Sequence, residues 1–342
     1  MKSLLKKLLA LLPTAFAVGL VGAWRTLRER FALWRAYRHD HRWYARVSGT
    51  FGPRRRRASL EAALIKAYHR IEKGLALAQP RPGFGRDAID TLLDDGAYYL
   101  RHHGQGLTIA RLINVLDEYV AFNERHGVDL GWLRPRLQAL KAAAAGGPVS
   151  AEGGTRELTR QDIVDAAAID FTRFVEHRFS IRQFSDEPVT DAQIEQAVRL
   201  AKRSPSVCNR ESGHVFVASD AATMARVLAL QNGNRGFGEQ AGRVLVITSR
   251  VDTFLTVGER YQCWIDGGLF AMTLIYALHA QGLGTCCLNW SVEPATDLAL
   301  KRVSGIPDGH AVIMMLAVGH LPEALRVAQS PRRPLSDVMN PL

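Results

Sequence analysis

One run of sixteen residues restricts what this chain can become more than any other: "DGGLFAMTLIYALHAQ", residues 266–281. It reads as a helix that is apolar nearly all round rather than along one stripe. Such a helix has to be covered on every side, inside a core or against a second subunit. The chain can supply that cover. Its 342 residues, 47% hydrophobic and 23% charged, suffice for two modest domains or one large one.

Around this run, residues 156–342 alternate between two patterns. The stretches 162–177 and 190–203 read as helices, the second opened by Thr190 with Gln193 placed to complete a capping box. "HVFVAS" (214–219), "RVLVITS" (243–249), "TCCLNW" (285–290) and "HAVIMMLAVGHL" (310–321) read as strands. There is no repeat and no regular βαβ series. "GNRGFG" (233–238) has the wrong spacing for a dinucleotide-binding fingerprint. The expected class is α+β, a mixed sheet flanked by helices. Ahead of it, residues 58–150 read as all helix, with runs at 60–73, 87–102, 108–126 and 133–145. Gly74, Gly104, Gly127 and Gly146 stand where C-terminal caps belong. "AAAAGGPVSAEGGT" (142–155) marks the boundary between the two regions.

The net charge of +11 belongs to one end of the chain. Residues 1–57 hold 14 of the 44 lysines and arginines and 2 of the 33 acids, so the other 285 residues are close to neutral. "RRRR" (54–57) without a recognisable binding module does not indicate nucleic acid. "LLALLPTAFAVGLVGAW" (8–24) carries no charge, but Pro13 interrupts it. It is short for a membrane span, and the arginines that follow oppose export as a signal peptide. The preferred reading is an in-plane anchor at the cytoplasmic face of a membrane, with Trp24, Trp34, Tyr37 and the arginines at anionic headgroups. A helix that simply packs on its own domain is the plainer alternative. Cys208, Cys263, Cys286 and Cys287 form no C-x-x-C, so neither a zinc site nor a disulfide framework is indicated, and a reducing, cytoplasmic setting fits.

Chemistry is concentrated in short motifs. In "HRFSIRQF" (177–184), Arg178, Ser180 and Arg182 occupy alternate positions, so in an extended segment all three project to one side. Two guanidinium forks and a hydroxyl suit a phosphate dianion, although the same spacing also describes a solvated strand face. "SPSVCN" (204–209) presents Ser206 and Asn209; "QNGNRGFG" (231–238) presents Asn232 and Arg235; "SPRRPL" (330–335) places Arg332 and Arg333 between prolines.

Taken in order, RxSxR, SPSxxN, NxxR, the apolar helix ending in GLGT, VGH and RRP, residues 170–340 resemble the FMN-dependent nitroreductase-like flavoproteins. "YHRIEKGL" (68–75) is similar to a segment of a bacterial subset with long amino-terminal extensions. The resemblance implies that Arg178, Arg182 and one or both of Arg332 and Arg333 grip the FMN phosphate, aided by Ser180. It implies that Ser206 and Asn209 lie along the ring, with Asn232 and Arg235 at its pyrimidine end, where a fixed cation favours the reduced ring. The backbone after Gly284 would approach N5, with Asn289 as the nearest side chain. It further implies a homodimer with FMN between subunits. NAD(P)H would donate hydride to the flavin and leave before a small-molecule acceptor takes its place. No catalytic side chain and no metal are required. One departure stands out: Asn209 is followed by Arg210 and Glu211 where relatives commonly have x-Gln-Pro-Trp, which puts the usual substrate contacts in question. A second functional reading is a membrane-associated flavin-binding assembly or regulatory protein with little or no turnover.

Overall fold

The computed structural model describes residues 14–51 and 56–341. In chain order it contains α1 (Thr14–Val47), α2 (Arg57–Leu75), α3 (Arg86–His103), α4 (Leu107–Arg125), α5 (Arg134–Ala143), α6 (Arg160–Ala166), α7 (Phe171–Glu176) and α8 (Asp191–Ala201). There follow β1 (Gly213–Ala218), α9 (Ala221–Leu228), β2 (Arg243–Arg250), α10 (Gln262–His279), β3 (Leu283–Asn289), α11 (Pro294–Ser304) and β4 (His310–His320). The strands form one sheet in the order β1-β2-β4-β3, every pair antiparallel. Ser180 adds an isolated parallel bridge to Thr285 on the outer edge of β3.

Alternation along β2 shows how the sheet is buried. Leu245 and Ile247 join the core with α8 and α10, while Val244 and Val246 join the one with α9 and α11. Helices on both faces explain why the strands read as continuous apolar runs. Helix α10 places Phe270, Ala271, Leu274, Ile275 and Leu278 in the core. On its other side Trp264, Ile265 and Leu269 keep between 44% and 53% of their surface exposed. A single chain therefore meets the demand for all-round cover on one side only.

Helices α2 to α5 enclose a separate apolar core, in which Leu64, Ile71, Ile89, Leu112, Leu116, Tyr119 and Leu133 are fully buried. Two sequence expectations need correction. Gly74 does not end its helix, since α2 runs to Leu75 with Ala76 as the cap. Its role is steric, because a Cβ there would enter the Phe84 ring. Residues 162–177 are two helices instead of one. The Asp170 side chain accepts from the backbone N–H of Arg173 at 3.0 Å and starts α7 afresh, a local bond that competes with helix continuation. By contrast, Thr190 and Gln193 form the expected capping box at α8. Gly104, Gly127 and Gly146 take the positive φ expected just past helix ends.

Helix α1 is anchored by its last turns. The Trp43 indole N–H donates to the Asp308 carbonyl at 2.8 Å, and Arg46 pairs with the Asp308 carboxylate at 2.6 Å. Trp43, Tyr44 and Val47 pack against Val251, Phe254, Cys263 and Ala311. Earlier in the helix, Trp24, Leu27, Phe31 and Trp34 are all more than half exposed. Among the described residues, no helix is long and apolar enough to cross a membrane. The start of the apolar arm (8–13), with Lys2, Lys6, Lys7, Arg54 and Arg55, lies outside the described residues.

Candidate functional site

The comb of donors is built onto the outer edge of β3. Ile181 N–H donates to the Thr285 carbonyl at 2.8 Å, which draws residues 178–182 alongside the strand. Ile181 turns inward and is buried. It packs where Gly284 has no side chain: a Cβ at Gly284 would lie 2.9 Å from Ile181 Cγ2 and 2.8 Å from Leu321 Cδ2. Gly284 is thus required for the close approach of the comb. Arg178 and Arg182 are near enough to Cys287 and Cys286, respectively, to offset part of the upward push that desolvation gives each thiol.

The Asn232–Arg235 loop arrives at the same edge. Gln231 Nε2 donates to the Asn289 carbonyl at the end of β3 (3.1 Å), and Gln231 Oε1 accepts from Gly233 N–H (2.6 Å). The Arg182 guanidinium stands 5.9 Å from the centroid of the Phe237 ring in that loop. Arg178, Ser180, Arg182, Asn232, Arg235, Gly284 and Asn289 therefore gather around β3. Among the described residues the guanidiniums of Arg178 and Arg235 have no hydrogen-bond or ion-pair partner. That of Arg182 reaches only the Ser180 carbonyl, at 3.5 Å. Like charges brought together without carboxylates repel one another, and this donor set fits a phosphate dianion that relieves the repulsion.

Arg332 and Arg333 are not part of this gathering within one chain. The tail after β4 passes the comb, where Arg326 N–H donates to Gln183 Oε1 at 3.2 Å, and continues exposed; Arg332 bonds only the Ser330 carbonyl (2.8 Å).

Ser206 and Asn209 are also set apart. They lie on the segment that leads into β1, the opposite edge strand. Three strand spacings, about 14 Å in all, separate β1 from β3. The backbone of this segment is strained: Cys208, Asn209 and Glu211 have φ of 51°, 54° and 48°. Left-handed geometry costs about 1–3 kcal/mol at a non-glycine residue and persists only where surrounding contacts enforce it. Several such contacts are present. The Ser206 hydroxyl accepts from Glu211 N–H at 3.1 Å, and Val207 N–H donates to buried Asp266 at 3.1 Å. Arg210, enclosed between the strained residues, donates to the Val207 carbonyl (3.1 Å), the Thr253 carbonyl (2.8 Å) and both oxygens of Glu259 (2.6 and 3.2 Å). Burial pushes the Glu259 carboxyl up, but the hydrogen bonds from Arg210 and Leu255 N–H outweigh it and hold the group below the usual range. The Glu211 carboxylate has no partner among the described residues.

Sequence reasoning missed Asp266 and the Arg210–Glu259 pair. Asp266 had a visible signal, as the only carboxylate in an apolar helix. The pair had none, its members being 49 positions apart. Also missed was the position of α2, which packs against the Val207–Asn209 turn and so brings the helical region onto this loop.

Residues 175–234 and 226–320 match the model of the Nitroreductase family. This part of the chain is nitroreductase-like. A putative NADH dehydrogenase/NAD(P)H nitroreductase of Archaeoglobus fulgidus is 23% identical over 145 residues, covering 42% of this chain and 80% of the relative. Among solved structures, a putative nitroreductase of Bacillus subtilis aligns with a TM-score of 0.45 and 18% identity, covering 51% of this chain and 99% of the other. An FMN-dependent nitroreductase of Clostridium difficile aligns with a TM-score of 0.39 and 20% identity, covering 45% and 90%. The nitroreductase segment takes in the comb, the loops of Ser206 and Asn232, and the whole sheet, and it supports an oxidoreductase of the flavin type. Helices α1 to α5 precede it.

Proposed function

We propose that the protein is an FMN-dependent oxidoreductase that passes hydride from NAD(P)H to a small-molecule acceptor in two successive half-reactions. The observation that carries this reading is the cluster of unpaired guanidiniums along β3. Arg178 and Arg182, with Ser180 between them, would hold the phosphate, and Arg235 and Asn232 would address the ring. The flavin supplies hydride acceptance and donation when bound, which is why no nucleophile or metal is called for. Arg332 and Arg333 join the phosphate set if the tail closes over the comb it passes.

Ser206 and Asn209 would contact the same flavin from a second copy, a reading supported by their place on the opposite edge of the sheet from the comb. The uncovered face of α10, with Trp264, Ile265 and Leu269, gives that copy an apolar surface to bury. A homodimer with two composite sites follows. The exposed aromatic and arginine residues of α1 fit a cytoplasmic membrane surface, and they form the peripheral part of the proposal.

The test is spectroscopic. Purified protein is expected to be yellow, to release FMN on denaturation, and to bleach within seconds of anaerobic mixing with NADH or NADPH. A colourless protein that takes up no added FMN would remove the proposal. A yellow protein that neither nucleotide bleaches would favour the non-catalytic flavin-binding reading.

A further inference from the structure

Between the helical region and the strained loop lies a cavity of about 400 Å³ that shares only Asn209 with the residues of the flavin proposal. Tyr68 of α2, Arg111 of α4, Lys202 and Arg203 after α8, and Asn209 and Glu211 of the loop line it. Asn209 is one of the residues expected along the flavin ring, so the cavity adjoins that site.

Its polar groups are unevenly spent. Glu72 is occupied by Gly154 N–H at 3.1 Å and by His69 at 2.9 Å, and Glu152 is paired with Arg111. The side chains of Lys202 and Arg203 have no hydrogen bond or ion pair among the described residues. The Tyr68 ring is buried, and its hydroxyl has no hydrogen-bond partner among the described residues, while Arg111 Nε is buried without an acceptor. Burial pushes that phenol far up, so the group is a proton donor at any physiological pH. The free groups are thus two cations and a hydroxyl, against one free carboxylate, Glu211. A buried donor without an acceptor, here Arg111 Nε, is costly, and a ligand oxygen would remove the cost.

We propose that this cavity recognises the anionic group, a carboxylate or phosphate, of a small electron acceptor, so that the helical region acts as the acceptor-recognition element of the enzyme. The proposal rests on the flavin reading. Lys202 and Arg203 supply charge at the mouth, Tyr68 donates from the wall, and Glu211 accepts from a hydroxyl or amine beside the anion. The volume admits a one-ring molecule and excludes a dinucleotide, which separates this site from that of the hydride donor. The departure at Glu211 from the family pattern then has a function, since its left-handed backbone turns a carboxylate toward a wall that relatives without the extension lack.

Two probes test this, 4-nitrobenzoate and 4-nitrobenzyl alcohol, which share a ring and a reducible nitro group and differ in charge. In the flavin-loaded protein, the Lys202→Ala/Arg203→Ala double variant is expected to raise KM for 4-nitrobenzoate about tenfold or more. KM for the alcohol, FMN content and the rate of bleaching by NADH should stay within about twofold. Tyr68→Phe, which keeps the buried ring, is expected to raise KM for the benzoate alone by about fivefold. Calorimetric titration of the unreduced protein with 4-nitrobenzoate should show binding that the double variant loses. Equal effects on both probes, no effect on either, or an effect on bleaching alone would overturn the assignment. A protein that takes up no flavin removes the enzyme reading; calorimetric binding of 4-nitrobenzoate that depends on Lys202 and Arg203 would still support the anion site, and its absence would remove that too.

Discussion

Alanine at both Arg178 and Arg182 is expected to give a folded protein that no longer retains FMN. Each guanidinium would supply charge-assisted hydrogen bonds to the phosphate, and such a bond contributes about 1.5–3 kcal/mol. Losing two such contacts removes about 3–6 kcal/mol, or about a hundredfold to ten-thousandfold in affinity. Flavin-fluorescence titration measures it directly. Stability should change little. Neither side chain has a carboxylate partner among the described residues, and removing both relieves mutual repulsion at the edge of β3. The apolar residue that seats the segment, Ile181, remains in place against Gly284. Arg178→Lys alone should fall between, because an ammonium keeps the charge but not the planar fork. A double variant that binds FMN as tightly as the parent would remove the phosphate role from the comb.

The layout of this segment was legible in the sequence because it depends on local order. Alternation in an extended segment puts Arg178, Ser180 and Arg182 on one side whatever the rest of the chain does, and Ile181 between them has to turn inward. The same holds for Thr190 and Gln193, whose capping box spans three residues. The apolar helix announced a need for cover, and the structure shows which face still lacks it. What could not be read is what depends on pairs distant in sequence. Gly74 looks like a helix stop until Phe84 folds back onto it. A single helix over 162–177 fits the periodicity, yet one carboxylate, Asp170, restarts it. The packing of α2 on the Val207–Asn209 turn has no local signature at all, and neither does the internal use of Arg210. Read along the chain, Arg210 and Glu211 are two charges in a motif where relatives differ. In space one is buried and structural, and the other is exposed and unpartnered.

Arg210→Ala is accordingly expected to destabilise the protein more than any substitution on the exposed comb. Its side chain is fully enclosed and lies 5.4 Å from the centroid of the buried Phe254 ring, and its removal leaves the Thr253 carbonyl without its donor and Glu259 without its cation, held only by backbone N–H groups. Breaking a buried pair from one side costs about 3–5 kcal/mol. That corresponds to a fall in Tm on the order of 10 °C for a unit of this size. The pH dependence identifies the cause. In the parent, Glu259 titrates below its ordinary value of 4.5, so the stability it contributes is present above that value and is lost as pH falls through the folded one. In the variant, burial acts without the arginine, so the group titrates higher than in the parent. The variant is therefore penalised at neutral pH and relieved of the penalty in acid. The gap between parent and variant, read from urea midpoints, should be widest near pH 7 and narrow toward pH 4. A gap that stays constant over that range would show that the loss comes from packing against Phe254 rather than from the stranded carboxylate. Because Arg210 also holds Asn209 and Glu211 in their left-handed geometry, the folded fraction of the variant should bind FMN more weakly. Arg210→Lys should recover part of the stability while leaving the Thr253 carbonyl unbonded, since one ammonium cannot reach three acceptors placed for a fork.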